Sequence, residues 1–309
     1  MPNATGQIVE CVPNFSEGRV KERVRAIVAA MHVEGVSLLD WSMDADHNRS
    51  VVTIIGPPNL VLESAIRGAG KAAELIDLNK QRGEHPRIGA ADVIPFVPVA
   101  GSSLEQCALL ARMAGKEIWA RYGVPVYFYE AAAARPDRAL LEEVRRGQFE
   151  GLRDAVHRDP TSRPDIGGPE LHPTAGAAAI GARKFLAAYN IYLDSTEVAV
   201  ARAIAKDLRA SSGGLKGVKA MGVLVHGRAQ VSMNITDLET TPISKVYRHL
   251  QQLAKKNRAV LGAGEIIGLI PESVFEQNSD WARQLVGFNP EEKILERRLQ
   301  SPLVWPAAL

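Results

Sequence analysis

Ser50-Val51-Val52-Thr53-Ile54-Ile55-Gly56-Pro57-Pro58 is the stretch on which the fold turns. Its β-branched run reads as a strand. Pro57-Pro58 opens a helix, because proline is tolerated in a helix's first turn, and that helix runs to about Leu78. On the N-terminal side, Val36 to Trp41 is a strand. Ser16 with Glu17 starts a helix through about Met31, with Val20, Val24, Ile27 and Val28 spaced for one face. Gln7 to Pro13 alternates as a strand, and Ala91 to Val99 is the next strand on the other side. A helix over about Leu104 to Tyr122 and a strand from Val124 to Tyr129 extend the series.

The same order returns further on. Phe185 to Leu193 reads as a strand, and Ser195-Thr196-Glu197 caps a helix ending near Arg209. Val218 to His226 and Arg228 to Thr236 form a hairpin across His226-Gly227. Pro242 starts a helix through about Asn257, and Leu261 to Ile270 is the last strand. Both halves are βαββαβ, the split arrangement called ferredoxin-like. Glycine and proline between them, at Asp159-Pro160, Pro164, Gly167-Gly168-Pro169 and Pro173, mark a boundary. The expected fold is therefore α+β, two ferredoxin-like subdomains over residues 1–182 and 183–309, with a ligand tunnel or groove between them.

The 309 residues suffice for two such cores. A net charge of +2 does not suggest a nucleic-acid protein, which usually needs a concentrated basic face. Local cationic clusters suit a small anionic ligand better. Cys11 and Cys107 are far apart and in no metal-binding spacing, which fits core residues in a reducing compartment. The N-terminus lacks the basic and apolar regions of a secretion signal. No apolar run approaches the ~20 residues that span a bilayer. A cytoplasmic protein without membrane or nucleic-acid partners is expected.

Lys80-Gln81-Arg82-Gly83-Glu84-His85-Pro86-Arg87-Ile88-Gly89-Ala90 carries the strongest chemical signal. Pro86 pushes His85 out of helical geometry, so the imidazole stands on a loop or strand end where it can face a ligand. Histidine can give and take a proton near neutral pH; a packed or solvated ring is the alternative. Asp44-Ala45-Asp46-His47-Asn48-Arg49-Ser50 can orient His85, grip a ligand, or simply form a polar turn that caps itself. Its spacing is not a strong metal-ligand pattern and no second cluster completes a shell, so no metal is expected. Asn14-Phe15-Ser16-Glu17-Gly18-Arg19 places Ser16 as a helix cap, with Arg19 adding charge at a helix start that can hold an anion. Gly262-Ala263-Gly264-Glu265-Ile266-Ile267-Gly268 fails as a dinucleotide fingerprint, because it runs into a strand rather than out of one. Arg163 to Pro173 is either a linker or a rigid loop that offers backbone groups to a flat, amide-rich ligand.

Val9 to Arg19, Asn48-Arg49, Gly83 to Val93, Gly181 to Leu186, Val231 to Asp237 and Gly268-Leu269-Ile270-Pro271 together resemble glutamate formiminotransferase, the first domain of formiminotransferase-cyclodeaminase. The resemblance covers nearly the whole chain, and the helical cyclodeaminase domain is expected to be absent from it. It implies a homodimer of two-subdomain chains with tetrahydrofolate held in a tunnel as co-substrate. The implied reaction moves a formimino group from N-formimino-L-glutamate to N5 of the folate. The family's catalytic histidine falls on His85. Its folate-binding loop falls on Pro164, Asp165, Ile166, Gly167, Gly168, Pro169, Glu170, Leu171, His172 and Pro173. Asn14, Asp44, Asp46, Arg49 and Arg87 are supporting candidates, the two arginines for bidentate pairing with the glutamate portion; Arg183 and Lys184 are candidates for the folate tail. Mammalian members carry an acidic residue where this chain has Ser42, so Asp44 or Asp46 is the substitute partner for His85. Processing of 5-formyltetrahydrofolate, transfer from N-formylglutamate, and folate binding without turnover are the competing readings.

Overall fold

The computed structural model describes residues 6–276 and 280–307. The chain divides into two compact units, Met1–Arg183 with Leu303–Leu309, and Lys184–Pro302. The C-terminal segment thus belongs with the first unit rather than with the second. Leu303 N donates to Leu38 O at 2.8 Å, and the Trp305 ring stacks on His32 with centroids 5.2 Å apart.

In the first unit the strands are β1 (Ile8–Cys11), β2 (Asn14–Phe15), β3 (Ser37–Asp44), β4 (Arg49–Gly56), β5 (Ala91–Ala100), β6 (Val126–Glu130) and β7 (Ala178–Ala182). The helices are α1 (Lys21–Ala30), α2 (Pro58–Leu75), α3 (Leu104–Tyr122), α4 (Leu141–Val144) and α5 (Gln148–Arg158). β3 pairs β4, and β1 with β2 forms one interrupted strand between β4 and β5, all antiparallel. β7 and β6 continue the sheet in parallel beyond β5. Cys11, Val52, Ile54, Ile94 and Phe96 meet Val24, Ile27 and Val28 of α1 and Val61 and Ala65 of α2 in one core.

Pro57-Pro58 opens α2 as expected, and α3 covers the expected span, closed at its start by the reciprocal bonds of Ser103 and Gln106. Two expectations change. Ser16 does not cap α1; its Oγ donates to Gly89 O at 2.6 Å, and the helix begins five residues later at Lys21. α1 starts without a side-chain cap; Glu17 Oε1 accepts from the backbone N–H of Arg19 and Val20, each at 3.0 Å, and fixes the turn that leads into the helix. The second change is β7, a strand absent from the sequence reading. Ala178-Ala179-Ile180-Gly181-Ala182 is buried throughout between two parallel neighbours, so it does not alternate, and with one β-branched residue it does not show the Val/Ile/Leu-rich run such strands usually carry. A Cβ on Gly181 would lie 2.5 Å from the Tyr129 ring, so only glycine fits there.

The second unit contains β8 (Ala187–Leu193), α6 (Val198–Leu208), β9 (Val218–Val225), β10 (Arg228–Ile235), α7 (Ile243–Lys256) and β11 (Leu261–Ile267). Its sheet is antiparallel in the order β11-β8-β10-β9. Tyr189, Ile191, Val231, Met233 and Ile235 pack against Ile204 and Leu208 of α6 and Val246 and Leu250 of α7. Strict alternation on β10 sends Gln230, Ser232 and Asn234 to the opposite face.

Candidate active site

His85 lies half-buried on the loop between α2 and β5. Its Nδ1 is 2.9 Å from Pro86 O. A carbonyl only accepts, so Nδ1 carries the proton and Nε2 presents the lone pair. Burial, then the positive charges of Arg49 and Arg145, hold the imidazolium well below its ordinary pKa of 6.5, with Asp92 pulling the other way. The ring is therefore neutral and basic at Nε2 at neutral pH.

The electrostatics come from a buried cluster the sequence reading did not assemble. Asp92 is fully buried, and its Oδ2 takes Arg49 Nη1 at 2.7 Å together with Arg145 Nη2. Its Oδ1 accepts from Ile88 N at 2.7 Å. Burial opposes the Asp92 charge, but Arg145 and Arg49 hold the carboxyl down at about 2. Burial pulls Arg49 to about 10 against the attraction of Asp92, so it stays charged. Asn14 Oδ1 accepts from Arg49 Nε at 3.0 Å and fixes its plane. Two guanidinium groups share one carboxylate, and Arg145 Nε is buried without a hydrogen-bond partner. The cluster carries a net positive charge suited to an anion. Because Asp92 sits at about 2 when folded against an ordinary 3.8, its contribution to stability is present above pH 3.8 and lost as pH falls towards 2. Acid unfolding in that window, shifted upward in D92N, is the expected titration.

Asn48 ties the histidine loop down. It is buried at φ 48°, a left-handed conformation asparagine tolerates. Its Oδ1 accepts from Gly18 N at 3.0 Å, and its Nδ2 donates to Arg82 O at 2.9 Å and to Gln81 Oε1. Gln81 in turn donates to Glu17 Oε2 at 3.2 Å. Glu84 N reaches Asp46 O at 3.0 Å, and the His47 ring meets His85 edge-on with centroids 6.1 Å apart. Asp44 Oδ1 caps the hairpin turn by accepting from His47 N at 2.7 Å. N48A should unfold more easily by about 1–3 kcal/mol, since it orphans buried groups. It should also lose about 10²-fold in turnover through misplacement of His85. Urea denaturation and initial rates check both.

Arg87 is occupied. Its Nη2 donates to Glu150 Oε1 at 2.9 Å, Gln81 O at 2.7 Å and Leu78 O at 3.2 Å, so it braces the loop against α5. Ser42 pairs with Val51 in the β3–β4 ladder. Asp92 is the carboxylate whose charge acts on His85.

The segment Pro164–Pro173 is anchored at both ends. Asp165 Oδ2 accepts from Phe128 N and Oδ1 meets Arg138 Nη1, both at 2.7 Å. Ile166 exchanges backbone bonds with Val126. Gly167 lies against the Trp119 ring, and Gly168, Pro169 and Glu170 are exposed. Leu171 is buried, while His172 Nδ1 accepts from Ala175 N at 3.0 Å. Just beyond Pro173, the chain joins the histidine loop: Ala90 N donates to Ala175 O and Ala177 N to Ile88 O, each at 2.9 Å. A Cβ on Gly89 would stand 2.0 Å from Ala177 O, so G89A should separate the two loops and abolish soluble expression or activity together.

An open groove of about 510 Å³ runs past Arg67, Lys71, Tyr122 and His172. Arg67 and Lys71 are already paired with Glu63 and Glu74, and neither His85 nor the Asp92 cluster lines it, so the geometry of the chemistry lies elsewhere. Lys184 Nζ meets Glu239 Oε2 at 3.6 Å in the second unit. Arg183 N donates to Phe96 O at 3.1 Å. Glu10 is buried on β1, where burial raises it to about 7 against Arg183. Cys11 and Cys107 are buried free thiols whose pKa burial raises. Among the described residues no group of three His, Cys, Asp or Glu could hold a metal, and no helix is long and apolar enough to cross a membrane.

Fold and site together define a two-unit α+β protein with a neutral histidine under the charge of two buried arginines. Residues 8–183 match the profile of the formiminotransferase domain, N-terminal subdomain, and residues 188–293 match that of the formiminotransferase domain. The glutamate formimidoyltransferase of Thermoplasma acidophilum is 42% identical over 95% of this chain and 97% of its own. That of Streptococcus pyogenes serotype M1 is 39% identical over 95% and 99%. The formimidoyltransferase-cyclodeaminase of Gallus gallus is 37% identical over 96% of this chain and 60% of its own. The chain belongs to the formiminotransferase family.

Proposed function

We propose that this chain is a glutamate formimidoyltransferase: it moves the formimino group of N-formimino-L-glutamate to N5 of tetrahydrofolate and releases L-glutamate. The observation that carries the reading is the fixed tautomer of His85, with Nδ1 donating to Pro86 O and Nε2 left basic. N5 attacks the amidine carbon. Nε2 takes the N5 proton as the tetrahedral intermediate forms, and returns it to the glutamate nitrogen as the C–N bond breaks. Arg49 and Arg145, each only partly neutralised by Asp92, hold carboxylate; the Pro164–Pro173 loop holds folate. The strand orders support the ferredoxin-like reading: in each unit the first strand of the βαββαβ series lies between the third and the fourth. A folate tunnel and a homodimer complete the reading.

Purified protein given tetrahydrofolate and formiminoglutamate should yield 5-formiminotetrahydrofolate and glutamate in equal amounts. No product under conditions where folate binds overturns the reading; faster turnover with N-formylglutamate would favour the formyl donor. The depressed His85 pKa keeps the base form populated as pH falls. The acid limb of kcat/KM should therefore lie well below 6.5. A limb at or above that value contradicts the assignment.

A further inference from the structure

We propose that the outer face of the second unit's two helices, α6 and α7, binds the phosphodiester backbone of a nucleic acid. The proposal stands apart from the transfer reaction and uses none of its residues.

Both helices bury one side in the same core, α6 through Ile204 and Leu208 and α7 through Val246 and Leu250. Their other sides expose Arg202 and Lys206 on α6, and Lys245, Arg248, Lys255 and Lys256 on α7. Asp207 is the only acid in either helix, and it joins them by accepting from Lys256 Nζ at 2.9 Å. Among the described residues no acid forms an ion pair with the other five cations. The chain's net charge of +2 conceals this concentration, because acids outnumber cations in the first unit.

The helix dipole favours cations at a C-terminus, which suits Lys255 and Lys256. It disfavours Lys245, which stands in the first turn of α7, where no acid occurs. Arg202 and Lys206 repel each other at i,i+4 spacing. The exposed helices of the first unit are built differently: Arg67 pairs with Glu63 and Arg121 with Glu117, each at that spacing. A face that keeps its cations unmatched against these costs is one that an anion from outside completes.

Composition selects the anion. None of the exposed large apolar side chains lies on α6 or α7. The face therefore lacks the apolar or aromatic core of a protein interface and the apolar anchor of a membrane-surface helix. Gln251 and Gln252 are exposed between the cations. Guanidinium, ammonium and amide groups are the donors that phosphate and sugar oxygens receive. From Lys245 to Lys255 the helix rises ~15 Å, the axial length of about four base pairs at ~3.4 Å each. A small anion would engage one or two of these cations; a repeating phosphate engages them together.

The test measures binding of the whole chain to a labelled DNA duplex and to a single-stranded RNA, each of about 20 nucleotides per strand, by fluorescence anisotropy between about 50 and 200 mM salt. With about four to six phosphates neutralised, log K against log salt should fall on the duplex with a slope of about −3.5 to −5.5, a loss of about 10²–10³-fold over that range. R202E/K206E and R248E/K255E should each lower affinity at least about tenfold and flatten the slope by about 2. R112E/K116E, on the exposed side of α3 in the first unit, makes the same charge change elsewhere and should leave affinity and slope unaltered. If one helix variant fails to fold by circular dichroism, the other carries the comparison. Binding of either polymer with these responses supports the proposal, and the tighter one names its source. No binding at about 50 mM salt, an equal loss in R112E/K116E, or binding to phosphatidylserine vesicles or polyglutamate in place of both oligonucleotides overturns it.

Discussion

Replacing His85 by alanine should lower kcat by about 10²–10⁴-fold while tetrahydrofolate still binds. The imidazole is held in place by its own Nδ1 bond to Pro86 O and by backbone contacts of its neighbours, so its removal leaves the loop's anchors at Asn48 and Ala90 intact. Turnover should fall and melting temperature should not. H85Q is the sharper variant. It keeps a polar side chain of similar reach but cannot carry a proton, and its rate should resemble that of H85A. The pH profile of either variant should lose its acid limb. Retained turnover within about tenfold of wild type would remove His85 from the chemistry.

D92N should have the largest effect on stability. Its carboxylate is the shared partner of two largely buried arginines, and its other oxygen takes Ile88 N beside the histidine loop. Breaking a buried pair by removing one partner strands the opposite charge, at about 3–5 kcal/mol. Here two cations are stranded at once. The substitution also acts on His85, because Asp92 is the charge that raises its pKa against Arg49 and Arg145. The imidazole of a folded D92N should therefore be still less basic, with the acid limb of kcat/KM moved further down. R145M should move that limb the other way, since it removes a cation, and should weaken binding of the carboxylate substrate. Urea denaturation measures the first effect, and paired pH profiles of the two variants measure the second. Limbs that shift in the same direction in both variants would show that the cluster does not set the state of His85.

The elements that were legible in the sequence are those governed by local rules. Gly56-Pro57-Pro58 ends β4 and begins α2, and Ser103 with Gln106 begins α3, because chain stiffness and capping act within a few residues. The alternation of β10 separates core from open face for the same reason. Ser16 was misread because a serine before a helix has the right chemistry for a cap. Gly89, 73 residues away, took its hydroxyl as a donor instead, and α1 begins without a side-chain cap.

The sequence by itself determined which groups were available for chemistry: a histidine before a proline, kept out of a helix, with arginines close by in the chain. Only the tertiary structure decided their roles. Arg87, two residues from His85, turns to Glu150 on α5, while Arg145, 53 residues beyond Asp92, completes the cation pair. Asp92, an acid set in an apolar strand, carried a visible signal; Arg145 carried none. The reason is physical: a charge that leaves water must be matched by a partner within a few ångströms, and which partner lies that close is fixed by how strands and loops distant in sequence are brought side by side.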